Sequence, residues 1–258
     1  MTAPSETGIV QAALPHTPWA DPALSRMPGM RPVEGSWIVV DDVYAAQMAE
    51  RARLYRDRRA AVEAILPGAE GALAEVREVA LAALPEAFVH DGDAVVTPDG
   101  RRVATGGTPF AVLNALLQED LLILERRGGE HVLIAGLLCF PAHWTLSEKI
   151  GLPLTRIHAP VPEYDGDVAL RVQRLFDRVP PGRAMWRANV LPHSEAVLHR
   201  PRPEGTPREA AETARYIRSE RQTVLRLPRT GAVLFAVHTW IVAMDALTAE
   251  QRAGSPFP

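Results

Sequence analysis

Cysteine and lysine are almost missing from this chain. Cys139 stands alone among 258 residues. That excludes an intramolecular disulfide, a cysteine-rich zinc site and an iron–sulfur cluster built from this chain. A single cysteine fits an intracellular, cytoplasmic location. Lys149 is the one lysine beside 27 arginines. An Arg-for-Lys bias accounts for the ratio; because an ammonium and a guanidinium differ in shape and hydration, the surviving lysine is either a remnant of that bias or a position with a role of its own. No apolar run reaches the roughly 18 residues of a membrane span. The opening residues, MTAPSETGIVQAALPHTP, lack a basic start and a continuous apolar stretch, so no signal peptide is expected. With a net charge of -3 there is no basic field to draw nucleic acid or acidic membranes, and any anion site is local. No GxGxxG follows a strand, and GxxxxGK[ST], HExxH and GxSxG do not occur, which removes dinucleotide, P-loop, zincin and nucleophile-elbow readings.

What is present suits a globular chain. Hydrophobic residues make up 47% and charged residues 23%, enough for a sizeable core. Residues 1–35 read as an irregular arm, 36–250 as a single domain and 251–258 as a tail. Trp37 to Val40 suggests a strand, Asp41 or Asp42 a helix N-cap, and Val43 to Leu66 one long helix ended by Pro67-Gly68. Further helices are expected near 70–84 and 108–118, then from a Thr145–Glu148 capping box to Gly151, and over 166–178. Three hairpins follow from turn chemistry: 94–103 around Pro98-Asp99-Gly100, LLILERR with EHVLIAGLLCF around Gly128-Gly129, and a last pair around Pro228–Gly231. Residues 184–191 read as a strand and 192–207 as a surface loop. Hairpins mixed with short helices, without regular βαβ alternation, predict an α+β fold with an antiparallel sheet and helices to one side.

Chemistry concentrates in Cys139 to Tyr164, CFPAHWTLSEKIGLPLTRIHAPVPEY. His158 sits in Ile-His-Ala-Pro-Val-Pro, where two prolines fix much of the backbone before any ligand arrives. An imidazole on a stiff loop suits an axial metal ligand. From the residues alone, a hydrogen-bonded structural histidine is the commoner outcome.

This segment resembles the signature of the haem-dependent oxidative N-demethylase family. The matching positions are Phe140-Pro141, Trp144, Glu148-Lys149-Ile150-Gly151 and Ile157 to Pro162. Ser219–Thr223, Leu227-Pro228 and Thr230-Gly231 form a second match, and Trp37-Ile38 with Asp41 and Tyr44 a weaker one. The resemblance spans roughly residues 35 to 245. It implies a PAS-like antiparallel sheet with flanking helices enclosing a haem b pocket, with His158 as the iron ligand. It implies oxidative removal of an N-methyl group from a small, dimethylamine-like secondary amine, released as formaldehyde, with O2 as oxidant.

No flavin, nicotinamide or iron–sulfur motif is present, so the electrons are expected from a separate flavin/iron–sulfur reductase. Lys149 and Arg156 would pair with haem propionates, or be solvated surface charges, and Arg187 joins the cofactor contacts. Glu220 would hold the amine cation or relay protons, or be a cross-strand ion pair with Arg218 or Arg221. The family's Arg-x-Asn-Trp stands here as Arg187-Ala188-Asn189-Val190, with Trp186 nearby but expected to point differently. Its arginine before Thr-Tyr stands as His238-Thr239-Trp240, which places a titrating imidazole in the expected distal pocket as a second catalytic candidate. Two competing readings remain, a non-enzymatic haem-binding PAS-like sensor and a haem-free binding module. His143, His193 and His238 are the next ligand candidates after His158.

Overall fold

The computed structural model describes residues 8–24, 28–160, 164, 166–206 and 214–256. In α1 (Tyr44–Asp57), Tyr44, Gln47, Met48, Arg51 and Leu54 recur three and four residues apart and form the buried side. α3 (Glu70–Ala82) buries Leu73, Val76 and Ala80 in the same way, and α4 (Pro109–Leu116) opens on a proline. α7 (Gly166–Arg178) is amphipathic, with Val168, Val172 and Phe176 at four-residue intervals. α2 (Arg59–Val62), α5 (Leu146–Lys149), α6 (Leu154–Ile157) and α8 (Ala249–Ala253) are about one turn each. Among the described residues no helix is long and apolar enough to cross a membrane.

Seven strands form the main sheet: β1 (Arg31–Pro32), β2 (Glu63–Ile65), β6 (Asp120–Arg127), β7 (Glu130–Leu137), β8 (Met185–His193), β9 (Tyr216–Arg226) and β10 (Val233–Ala243). Their order is β1-β8-β9-β10-β6-β7-β2, and every neighbouring pair is antiparallel. A small second sheet joins β3 (Val89–Asp91), β4 (Ala94–Val96) and β5 (Arg102–Ala104). The three hairpins stand as expected: Arg127 pairs with Glu130 across Gly128-Gly129, Arg226 with Val233, and Val96 with Arg102. Gly128 takes φ +62°, the left-handed backbone that such a two-residue turn demands.

The helices do not lie on one side of the sheet. Leu121, Ile123, Leu234 and Ala236 pack with α1, α3 and α4, whereas Leu122, Leu124, Val224 and Val233 pack with α5, α6 and α7. The reason is visible in β6, where the unbroken apolar run Leu121–Leu124 feeds both faces. We call these the α1 face and the α7 face.

Other expectations fail locally. The long helix breaks at Arg58 (φ -137°, ψ 35°), and residues 63–65 turn into an edge strand paired with β7. Residues 37–40 join no ladder; side chains substitute, the Val39 N–H donating to Glu119 Oε1 (2.7 Å) and the Asp41 N–H to Gln118 Oε1 (3.2 Å). Neither Asp41 nor Asp42 caps α1, whose N-cap is Val43 without a side-chain bond. Asp41 instead accepts from the Val43 N–H (3.1 Å) and Gln118, and Asp42 from the Ala12 N–H (2.8 Å). Thr145 bonds Glu148 side chain to side chain, so the capping box is not formed. Residues 192–207 are not a surface loop throughout: His193 and Leu198 are buried, and His199 Nδ1 bonds the Cys139 carbonyl at 2.8 Å.

A buried carboxylate joins these layers. Asp120 Oδ1 accepts from Arg51 Nη1 (2.7 Å) and the Cys139 N–H (2.7 Å), and Oδ2 from the Phe140 N–H (2.8 Å); both side chains are sealed from water. Replacing Asp120 with Ala strands the Arg51 cation in the core, a loss of about 3–5 kcal/mol. Urea unfolding of the Asp120→Ala variant measures it, and a loss under about 1 kcal/mol would contradict the role given to this pair.

Candidate functional site

The segment that carries the chemistry starts where Asp120 holds Cys139 and Phe140. Arg218 grips it from the sheet, with Nη2 donating to the Phe140 carbonyl (2.6 Å) and Nη1 to that of Leu198 (3.0 Å). His143 follows in the left-handed region (φ +62°), its N–H bonded to the Arg200 carbonyl. α5 then lies on the α7 face because Gly136 leaves room for it. A Cβ there would stand 2.6 Å from Leu146 Cδ1 and 3.1 Å from Leu122 Cδ2. Gly151 N–H to the Leu133 carbonyl (2.8 Å) and Leu133 N–H to the Leu152 carbonyl (3.1 Å) stitch the α5–α6 turn to β7.

His158 is the residue that closes α6. Its Nδ1 lies 2.9 Å from the Leu154 carbonyl, and its ring stacks on Tyr164 with centroids 4.4 Å apart and planes 15° off parallel. Burial lowers its pKa, against the help of the Leu154 carbonyl and with a smaller push from Lys149. The ring is therefore neutral at pH 7, and Nδ1 carries the proton because a carbonyl only accepts. That leaves the Nε2 lone pair, which has no hydrogen-bond partner among the described residues. Of the two prolines expected to stiffen this turn, Pro160 is described and Pro162 lies outside the described residues.

Lys149 and Arg156 do come together, on a carboxylate of the chain itself. Lys149 Nζ reaches Glu204 Oε2 at 2.8 Å and Arg156 Nη1 reaches Oε1 at 2.9 Å. Lys149 is only 4% exposed, so it is no solvated surface charge, whereas Arg156 is half exposed.

The sheet places the remaining candidates by register. Val224 is on the α7 face, so Gln222 and Glu220 share that face, and so do their partners Arg187 and Asn189. Glu220 Oε1 accepts from Arg218 (3.1 Å) and Oε2 from Asn189 Nδ2 (3.2 Å), which makes it an ion pair within its own strand. Arg187 Nη1 donates to Gln222 Oε1 at 3.1 Å, while burial lowers its pKa and its Nε is sealed without a partner among the described residues.

His238 lies on the other side. It pairs with Arg221 on the α1 face, with Nδ1 3.3 Å from Glu119 Oε1 and Nε2 3.1 Å from Asp41 Oδ2. The sheet thus separates His238 from Glu220. Trp186 and Val190 both face the α1 side, paired with Thr223 and Ser219, so Trp186 does not point away from position 190 as expected.

Two groupings escaped the sequence. His16, in the arm expected to be irregular, sits edge-on to Trp240 (5.0 Å) and tilted to Trp186 (5.9 Å). Its Nε2 is 2.8 Å from Ser219 Oγ, which itself donates to the Asn189 carbonyl, so His16 is the donor. His143 and His193 stack at 5.5 Å, and burial with nearby Arg218 and His143 lowers His193 to about 4. Neither contact has a local signal, since the partners lie 50 or more residues apart in sequence. A cavity of about 750 Å³ lies elsewhere, lined by Trp37, Val79, Ala83, Met185, Leu225 and their neighbours, and none of the expected site residues lines it.

Comparison with known families gives one finding. The model of the family described as haem-dependent oxidative N-demethylase, alpha subunit-like, matches residues 30–257.

His238 supplies a test of the α1-face cluster. Burial pulls its pKa down, but the bonds to Asp41 and Glu119 outweigh burial and leave it raised above 6.5. A raised folded pKa means stability fully present below the unfolded value and lost as pH climbs through the folded one. The stability advantage of the wild type over His238→Gln is therefore largest near pH 6 and shrinks toward pH 9. Paired urea titrations at the two pH values read it, and an advantage that grows with pH would refute the charged assignment.

Proposed function

The chain belongs to the haem-dependent oxidative N-demethylase, alpha subunit-like family, and from that premise we propose that it binds haem b through His158 and demethylates a small secondary amine. The observation that carries the reading is the Nδ1–Leu154 bond. A backbone carbonyl that fixes the imidazole tautomer leaves the Nε2 pair unshared and strengthens it as a ligand. One imidazole is the donor set that an iron already held by a porphyrin needs from the protein. When bound, haem supplies the oxidising chemistry with O2, and the chain supplies ligation, orientation and proton control.

In this reading the sheet is PAS-like and its α7 face forms one wall of the haem pocket. Lys149 and Arg156 hold propionates, and Arg187 contributes from β8. Glu220, fixed by Arg218 and Asn189, takes the amine's N–H as a further partner and moves its proton. His238 acts as a positioning residue. Its neighbour Thr239 pairs with Glu220 in the ladder, so the Asp41–His238–Glu119 cluster sets the strand against which Glu220 stands. The amine is dimethylamine-like, the product is formaldehyde with the shorter amine, electrons arrive from a separate flavin/iron–sulfur reductase, and the protein works in the cytoplasm.

Haem-reconstituted protein shows a Soret band, and His158→Ala removes or strongly shifts it while thermal unfolding stays cooperative. An unchanged spectrum moves the ligand to His143, His193 or His238. Pre-reduced protein mixed with O2, dimethylamine and a chemical reductant that supplies the second electron releases formaldehyde. Glu220→Gln lowers the rate of that release about 100-fold or more at an unaltered Soret band, the size expected of a lost proton-transfer group. A wild type that keeps its band in O2 and releases no formaldehyde from any small methylamine is a haem-binding sensor instead.

A further inference from the structure

The Lys149–Glu204–Arg156 contact has more to it than charge balance. Both oxygens of Glu204 are taken, one by each cation, and its own N–H donates to the Glu148 carboxylate at 3.0 Å and 3.2 Å. The loop around residue 204 is thus fastened to α5 twice and to α6 once. An ammonium as buried as Lys149 requires an anion in contact, because an unpaired charge in the interior is strongly unfavourable. That anion stands beside the candidate ligand. Lys149 ends α5, Arg156 is in the last turn of α6, His158 follows at its C-cap, and the Lys149 charge is felt at the His158 ring. Glu204 comes from a mostly exposed loop far along the chain, with a side chain 31% accessible, so it is the partner free to leave.

We propose that Glu204 occupies, in the haem-free chain, the place that a haem carboxylate takes on loading, so that haem uptake and release of the residue 200–206 loop are one exchange. The inference rests on the His158 reading and adds a competitor to it. One carboxylate replaces another, so Lys149 is never left buried without a counter-charge. The Glu204 N–H leaves Glu148 in the same movement. The lone lysine acquires a reason: a compact ammonium on a flexible stem can pass from one carboxylate to the next, where a guanidinium fork would favour a fixed bidentate partner.

The test is a Soret titration of haem-free protein. If Glu204 fills the site about nine-tenths of the time, Glu204→Gln binds haem about tenfold tighter than wild type, because the competent fraction rises by that factor. Glu204→Asp, with the carboxylate kept on a shorter stem, falls between them and guards against a folding defect. With the porphyrin dimethyl ester, which has no carboxylate to exchange, wild type and Glu204→Gln bind equally. Hydrogen exchange of residues 200–206 rises when haem is added to the wild type. Equal or weaker haem binding by Glu204→Gln, the same gain with the ester, or unaltered exchange in the loop overturns the proposal. A wild type with no Soret band sinks the His158 reading as well, whereas a normal band that ignores Glu204 sinks only this one.

Discussion

The segment that leads to His158 is anchored on one buried carboxylate. Asp120 opens β6, and from there it binds a cation on α1 and the first two amides of the segment leading to His158. Helix layer, sheet and the segment that carries His158 therefore meet at a single fully buried side chain. A buried ion pair is rarely a large net stabiliser, since desolvation offsets most of its attraction. Its value here is positional. Arg51 lies over the Phe140 ring at 5.4 Å, so the same guanidinium that neutralises Asp120 packs against the residue whose amide Asp120 holds. Phe140 is then gripped from the far side by Arg218, the arginine that also pairs with Glu220.

The device recurs. Glu75, on α3, accepts the N–H groups of Arg229 and Thr230 and the Thr230 hydroxyl, which holds the β9–β10 turn. Glu119 and Asp41 do the same for the irregular residues 39–43. At each of these places a carboxylate supplies acceptors that a strand would otherwise supply, as buried amides require. On the same side of the sheet Trp240 packs against His238 at 4.2 Å.

These same devices mark how far the sequence could be read. The hairpins and α7 were legible because turn residues and periodicity are local signals: Gly128-Gly129, Pro98-Asp99-Gly100 and the Val168–Val172–Phe176 stripe each act within a few residues. The strand at 63–65 was not, because its sequence Glu-Ala-Ile continues a helical composition and is drawn out only by a free ladder edge on β7 beside Gly136. Residues 37–40 have strand composition, but Ser36 Oγ takes the Ile38 amide and Glu119 that of Val39, and Gln118 takes the Asp41 amide that follows. The two-sided burial of β6 could have been read from Leu121–Leu124. Of the site, His158 was legible as a residue and Lys149 as a singular one. Glu204 was not, since 55 residues separate it from Lys149 and nothing local distinguishes it from other loop carboxylates.

The margins of the sheet have a consequence for how copies of this chain meet. At one end β1 is two residues long and contains Pro32, which has no amide to offer; at the other β2 is three residues long and runs straight into Leu66 and Pro67. Neither outermost strand has a row of backbone groups long enough to template a foreign strand, but among the described residues β1 covers only Met185 and Trp186 of β8. Sideways growth of the sheet is blunted at its two outermost strands, and the stretch Arg187–His193 is the length of edge on which shared β-structure between copies would have to form.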